Sequence, residues 1–549
     1  MLTILKSAWK MNWKIDVVFE EDSLYLWFET SILFMLVKTY CAALSGLEVH
    51  TVTIEVSLVK GVMYHFTGLG DVAVKEGRDR IAAALQYTGF RFPIADITVN
   101  MAPADLKKEG SGYDLPLAIA ILAANGNLVS RQLECYMMVG ELSLDGSLQP
   151  AKGVLSIAMK AKKEGFKGLI VPQQNANEAA VVEGLEVYGM QGLKDVVDFL
   201  SGVRLFDPVR LDIHSVFEEQ QALSGPDFAD VRGQESVRRA LEVAAAGGHN
   251  VIMVGPPGSG KSMMARRLPS ILPPLTMEES LETTQIHSVA GLMGRNMSLI
   301  AQRPFRAPHH TVSEVALVGG GTNAKPGEIS LAHNGVLFCD ELPEFNRSAL
   351  EVLRQPLEDR KISISRARYS VDFPCSFMLV ASMNPCPCGY YGDPTHQCVC
   401  TPGQRLRYMS KISGPLMDRI DIQIEITPVP FKDISKVQSG EPSAAIRERV
   451  LKARKKQEER FKDFKGIHCN AQMTERMIHQ FAEPDAASLD MLRMAMERLK
   501  LSARAYSRIL KVARTIADLD NSEKVQSVHI AEAISYRNLD RGDWAERGI

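Results

Sequence analysis

The stretch VIMVGPPGSGKS, Val251–Ser262, decides the fold at the centre of the chain, and it has a second half at Gly335–Leu342, GVLFCDEL. In the first, an apolar run leads into Gly255, Gly258 and Gly260, which let the backbone wrap a phosphate chain with its N–H groups and the next helix N-terminus facing the anion. Lys261 then reaches the β- and γ-phosphates, and the Ser262 hydroxyl helps hold Mg²⁺. The nucleotide-binding run is therefore Gly255, Pro256, Pro257, Gly258, Ser259, Gly260, Lys261, Ser262 and Met263. In the second half a buried strand, Val336 to Cys339, delivers Asp340 to the Mg²⁺ shell and Glu341 to the attacking water. Each motif follows its own strand, as expected of an α/β P-loop core with a parallel sheet that hydrolyses ATP. A glycine-rich turn alone would leave the Asp–Glu pair unexplained.

A chain of 549 residues implies three or four units of ordinary size. It is 46% hydrophobic and 23% charged with a formal net charge of −2, so any nucleic-acid binding must come from local patches. The apolar stretch Leu24 to Val37 is broken by Glu29 and followed by Lys38, too short and too charged to span a bilayer. The first residues lack the order of a secretory signal. The expectation is a cytoplasmic protein with no membrane partner, its nine cysteines reduced unless a metal holds them.

Residues 1–34 differ from the rest: they hold three of the four tryptophans (Trp9, Trp13, Trp27) and no sustained period. The expectation is that translation starts at Met35; the alternative is an extension that docks on a partner. Residues 35–205 alternate strands with helices and make an α/β domain. A linker, 206–227, precedes the ATPase core, 228–428, and a helical, highly charged lid follows over 429–549.

After the strand FMLVASMN comes CPCGYYGDPTHQCVC, which sets Cys386, Cys388, Cys398 and Cys400 in a C-x-C-x9-C-x-C pattern. Four thiolates at paired spacings with turn residues between them fit a tetrahedral Zn²⁺ site, with His396 as a substitute ligand and unligated cysteines as the alternative. Such a knuckle would either stiffen the loop beside the ATP site or touch DNA.

Three stretches, RPFRAPHHTVSEVALVGGG, KPGEISLAHNGVLFCDELPEF and LSARAYSRILKVARTIADL, resemble the AAA+ superfamily and, within it, the magnesium-chelatase-like ComM/YifB family. The resemblance runs from Met35 to the C-terminus and implies a homo-hexameric ring with each ATP site between two subunits. It places the sensor-1 residue at Asn384, the arginine finger, supplied to the neighbouring subunit, at Arg419, and the sensor-2 arginine of the lid at Arg504, with Arg508 as second choice. For each arginine the alternative is a surface ion pair, worth little by itself. The resemblance also implies a helix-2 insertion over Ile286 to Gly321 and a pre-sensor-1 hairpin over Ile362 to Phe377, with Arg366 and Arg368 near the tip. In a ring pore these cations would track a DNA backbone; the alternative is an edge hairpin that uses charge against aggregation. His309 and His310 are read as packing or hydrogen-bonding residues rather than metal ligands, without a catalytic role.

From about Leu47 to Leu200 the chain resembles the Lon-protease-like domain of this family. Its serine nucleophile position falls at Gly112 and its lysine base position at Leu155, so the dyad is missing. Ser111 and Lys152 are near in sequence, but the expectation is a noncatalytic collar. The resemblance implies a DNA helicase that drives branch migration in homologous recombination and natural transformation, on single-stranded or branched DNA, with recombination proteins as partners. A chelatase-type ATPase remodelling a protein partner, a Lon-like protease and a nucleotide-gated scaffold are the competing readings.

Overall fold

In the computed structural model the residues described are 15–20, 23–28, 36–221, 225–294, 297–321, 324–366, 369–393, 396–428, 440–499 and 501–537. They form two compact units, one of residues 1–44, 48–211 and 294–298, the other of 45–47, 212–293 and 299–549. Most of residues 1–34 lies outside the described residues; within them the backbone pairs Ile15–Glu20 antiparallel with Ser23–Phe28.

The first unit is a mixed seven-stranded sheet built from β1 (Val37–Ser45), β2 (Glu48–Val59), β3 (Tyr64–Thr67), β4 (Asp96–Ala102), β5 (Tyr136–Met138), β6 (Gly168–Pro172) and β7 (Glu186–Met190), in the order β7-β6-β5-β1-β2-β4-β3. The alternation of β2 explains its place: Val52, Ile54 and Val56 are fully buried while their neighbours are not. The helix α1 (Val72–Tyr87) packs on α2 (Asp114–Ala124), which is apolar all round and buried on nearly every side. The one charge α2 buries, Asp114, receives two hydrogen bonds from Arg80, at 2.8 and 3.0 Å. A third helix, α3 (Val154–Lys163), carries Leu155 on its buried face.

In the second unit, β8 (Val251–Val254), β9 (Phe305–Arg306), β10 (Val336–Cys339), β13 (Met378–Met383) and β14 (Ile422–Glu425) form a parallel sheet in the order β9-β10-β13-β8-β14. β8, β10 and β13 are buried along their whole length, as continuous apolar runs in a covered parallel sheet should be. The intervening β11 (Lys361–Arg366) and β12 (Tyr369–Pro374) make a separate antiparallel hairpin that turns Ile362, Ile364, Val371 and Phe373 inward. Arg366 ends β11, whereas Arg368 lies outside the described residues.

The helix α4 (Glu235–Gly247) packs against a helical C-terminal region comprising α5 (Ser443–Phe461), α6 (Ala486–Leu499), α7 (Ala503–Leu519) and α8 (Ser527–Ser535). The architecture is the expected one: a Lon-protease-like α/β unit, a P-loop core with a parallel sheet, and a helical lid.

Candidate active site

The strand order explains how the two motifs meet. Between β8 and β10 lies only β13, so the loops leaving the carboxyl ends of all three open onto one spot, where ligands bind in open α/β sheets. The phosphate loop leaves β8 with Gly258 and Gly260 at φ of 77° and 89°, values an L side chain rarely adopts, and Lys261 opens the following short helix, Lys261–Arg267.

Five residues read from the sequence as nucleotide or metal residues are in contact. Lys261 Nζ donates to the Gly255 and Pro256 carbonyls at 2.7 and 2.9 Å and to Asn384 Oδ1 at 3.3 Å. Burial pulls the pKa of this ammonium down from its usual value, against the opposing fields of Asp340 and Glu341. The Ser262 hydroxyl donates to Asp340 Oδ2 at 2.8 Å, the pairing expected of two groups that share one Mg²⁺ shell. Asp340 Oδ1 accepts from the Ser382 hydroxyl and, at 3.1 Å, from the Glu341 N–H. Ser382 is fully buried on β13 and escaped the sequence reading, because nothing in its own neighbourhood marks it as the brace of Asp340.

His310, read as a packing or hydrogen-bonding residue, has an acidic neighbour. Its Nδ1 lies 3.6 Å from Glu341 Oε2, and its ring stacks on His309 at 4.1 Å between centroids. The available signal was position: the histidines closely follow β9, which neighbours the strand carrying Asp340. Two arginines of that stretch are turned onto the protein itself. Arg303 fans onto the carbonyls of Pro273, Pro274 and Asn334 and the Glu279 carboxylate, and Arg306 makes two 2.7 Å bonds to Glu328.

The three arginines divide. Arg419 is buried, donating to the Pro415 carbonyl at 2.6 Å and pairing with the half-exposed Glu358 at 2.6 Å, while its Nε has no partner. Arg504 is 64% exposed and stands 3.8 Å from Asp418. Arg508 is 22% exposed and bonded to the buried Asp421, which also accepts from the Asn250 N–H at 3.0 Å and lies 3.5 Å from His249 Nδ1. Despite the cost of burial, the Arg508 and His249 side chains hold Asp421 far below the usual carboxylate range.

The four cysteines converge as their spacing implied. All four sulfurs lie within 4.8 Å of one another, with Cys386–Cys388 at 3.3 Å and Cys398 at 3.6 Å from each of these. A tetrahedral ion with Zn–S bonds of about 2.3 Å has sulfur edges of about 3.8 Å, so the set fits Zn²⁺ with small adjustment. Sulfurs this far apart are not disulfide-bonded. Burial pushes the Cys386 thiol up to about 12; at Cys388 burial is outweighed by the Tyr390 and Val399 N–H groups and the Cys386 thiol, which bring it down to about 6.

In the first unit, the two positions aligned with a serine–lysine dyad carry Gly112 and Leu155. Leu155 is fully buried and its N–H donates to Glu178 at 3.0 Å, and a Cβ on Gly112 would press on Val139 at 3.3 Å. Ser111 bonds Glu141, and Lys152 is exposed. Among the described residues, no helix is long and apolar enough to cross a membrane.

Comparison with known proteins agrees with this layout. The family models described as magnesium chelatase, subunit ChlI, subunit ChlI of Mg-chelatase, and magnesium chelatase, subunit ChlI C-terminal, match residues 227–434, 54–175 and 440–537. The chain is 45% identical to competence protein ComM of Haemophilus influenzae over 507 residues, covering 91% of this chain and 97% of that protein. It is 44% identical to protein YifB of Escherichia coli over 499 residues, covering 90% and 96%.

Proposed function

The chain belongs to the ComM/YifB family of magnesium-chelatase-like AAA+ proteins, and from that membership and the site geometry we propose that it is an ATPase motor acting on DNA. The observation that carries the ATPase reading is the meeting of Lys261, Ser262, Asp340, Glu341 and Asn384 at the carboxyl ends of three adjacent strands. ATP and Mg²⁺ are its cofactors: the phosphate loop and Lys261 bind the triphosphate, Ser262 and Asp340 hold the metal, Glu341 orients water, and Asn384 fixes the γ-phosphate end. Zn²⁺, held by Cys386, Cys388, Cys398 and Cys400, completes the set.

The motor works as a homo-hexamer. Arg419 reaches the neighbouring subunit's phosphate by exchanging Glu358 for it, and Arg504, exposed on the lid, senses nucleotide in its own subunit. The DNA reading draws on the name of the Haemophilus relative, a competence protein, and on the β11–β12 hairpin, in which the sequence sets Arg366 at the end of β11 and Arg368 between the strands. It is a helicase that moves branched intermediates in recombination and transformation, alongside recombination proteins, in the cytoplasm. The Lon-like unit serves as a noncatalytic collar, because a buried leucine cannot act as a base.

The test is ATP turnover with and without forked or four-way DNA, together with strand displacement, in wild type, Glu341→Gln and Arg366→Ala/Arg368→Ala. Stimulation by DNA is expected, with displacement lost in both variants and basal hydrolysis kept only in the hairpin variant. Turnover that ignores DNA and moves no strand would remove the DNA motor and favour the chelatase-type reading, in which the ATPase remodels a protein partner.

A further inference from the structure

The turn Cys386-Pro387-Cys388-Gly389 touches the phosphate loop. Gly389 has φ of 87°, and a Cβ built on it would lie 2.7 Å from Pro257 Cδ and 2.9 Å from Pro257 Cγ. The turn therefore seats its bare backbone on the loop with no room for a side chain. It is also continuous with Asn384, whose amide oxygen accepts from Lys261 at 3.3 Å. One short segment thus bears on the nucleotide site twice, through Pro257 from outside and through Asn384 from within.

Tyr391 anchors the middle of this segment on the core, with the Arg405 guanidinium 4.1 Å over its ring, and the Tyr390 and His396 rings meet at 4.8 Å; beyond them the far arm is tied back at its sulfurs. Cys386 is fully buried, but Cys388, Cys398 and Cys400 are only partly so, and Val399 between the last two is 82% exposed. The Cys398–Cys400 arm returns to the turn through thiol contacts and the Cys388 N–H, which donates to Cys400 Sγ at 3.4 Å. An arm this exposed gains from a staple, and four convergent thiolates supply one when they share a tetrahedral ion.

We propose that the four cysteines bind a structural zinc ion that braces the ATP-binding loop through the Gly389–Pro257 contact and Asn384, so that metal loading sets nucleotide affinity. The proposal rests on the nucleotide-site reading above and deepens it. The ion takes no part in the reaction; its effect is to keep Pro257 and Asn384 where the loop and Lys261 need them.

The experiment uses the full chain under reducing conditions, with zinc counted by elemental analysis and affinity read with a fluorescent ATP analogue in the presence of Mg²⁺. Protein as purified, protein stripped with a zinc-selective chelator and stripped protein given zinc back are compared. About one zinc per chain is expected. Stripping should weaken nucleotide binding by about tenfold or more, on the scale of a sub-ångström misplacement, and zinc should restore it. Because Cys398→Ser/Cys400→Ser risks misfolding, Gly389→Ala serves as the second variant: it keeps all four thiols and its zinc but weakens nucleotide binding to a similar degree. Protein without zinc as purified overturns the site. Unchanged affinity after stripping, or in zinc-loaded Gly389→Ala, overturns the brace. A chain with its zinc and no nucleotide binding at all would instead bring down the ATPase reading, and the brace with it; Lys261→Ala, expected to lose nucleotide and keep zinc, calibrates that outcome.

Discussion

His310 Nδ1 lies 3.6 Å from Glu341 Oε2, and the Glu341 backbone stands in the left-handed region at φ of 53°. Left-handed backbone at a residue other than glycine costs about 1 kcal/mol or more and persists only where its surroundings hold it. Here the Glu341 N–H is fixed by Asp340 Oδ1 and, at 3.3 Å, by the Ser382 hydroxyl, while His310 limits where the carboxylate can swing. The Glu341 backbone is thus set by Asp340 and β13 and its side chain by the segment after β9.

His310→Ala should lower kcat about tenfold while leaving nucleotide affinity unchanged, because it frees the carboxylate without touching the phosphate loop. His310→Asn, which keeps a polar group at that place, should recover part of the loss. Combined with Glu341→Gln, His310→Ala should add no further defect. A fall in affinity with kcat intact would show that the histidine only packs there.

The two lid arginines should separate cleanly in denaturant titrations. Arg508→Ala leaves the buried Asp421 carboxylate without its main partner and should cost about 3 kcal/mol of stability. Arg504→Ala removes an exposed contact and should change stability by less than about 0.5 kcal/mol, yet lower ATP turnover if Arg504 is the sensor. Equal destabilisation by both would contradict this division of roles.

Acid should weaken the core–lid seam in two steps of the same sign. Burial holds the His249 pKa below its ordinary 6.5, with Asp421 opposing, so the unfolded chain binds that proton first and stability falls as pH drops below about 6.5. Asp421 is likewise depressed, and its contribution, present above the ordinary 3.8, is lost as pH falls further toward its folded value. Melting temperature measured from pH 7.5 to 5 should therefore decline, and His249→Asn should flatten that decline. A profile unchanged by the substitution would place the acid sensitivity elsewhere.

Much of the fold was legible because its signals are local. The apolar run before GPPGSGKS, the alternation in HTVTIEVSLV and the periodic helices of the lid each report the backbone they form. The phosphate-loop motif was legible for the same reason: it is made by consecutive residues, so its pattern is written in order. Pairings across the molecule were not. Arg303 and Arg306 look as available for an anion as Arg366, but their positions turn them onto backbone carbonyls, Glu279 and Glu328.

The sequence by itself determined the P-loop and Asp–Glu motifs, the cysteine quartet and the family, since each depends on residue type at fixed spacing. Tertiary structure alone decided that Ser382 braces Asp340, that His310 faces Glu341, that Arg508 belongs to Asp421 while Arg504 stays exposed, and that the cysteine knuckle rests on Pro257. These contacts join residues far apart in the chain, brought together by the order β9-β10-β13-β8-β14 and the packing of the lid on α4. Their physical basis is the fit of distant surfaces, which no single stretch of sequence contains.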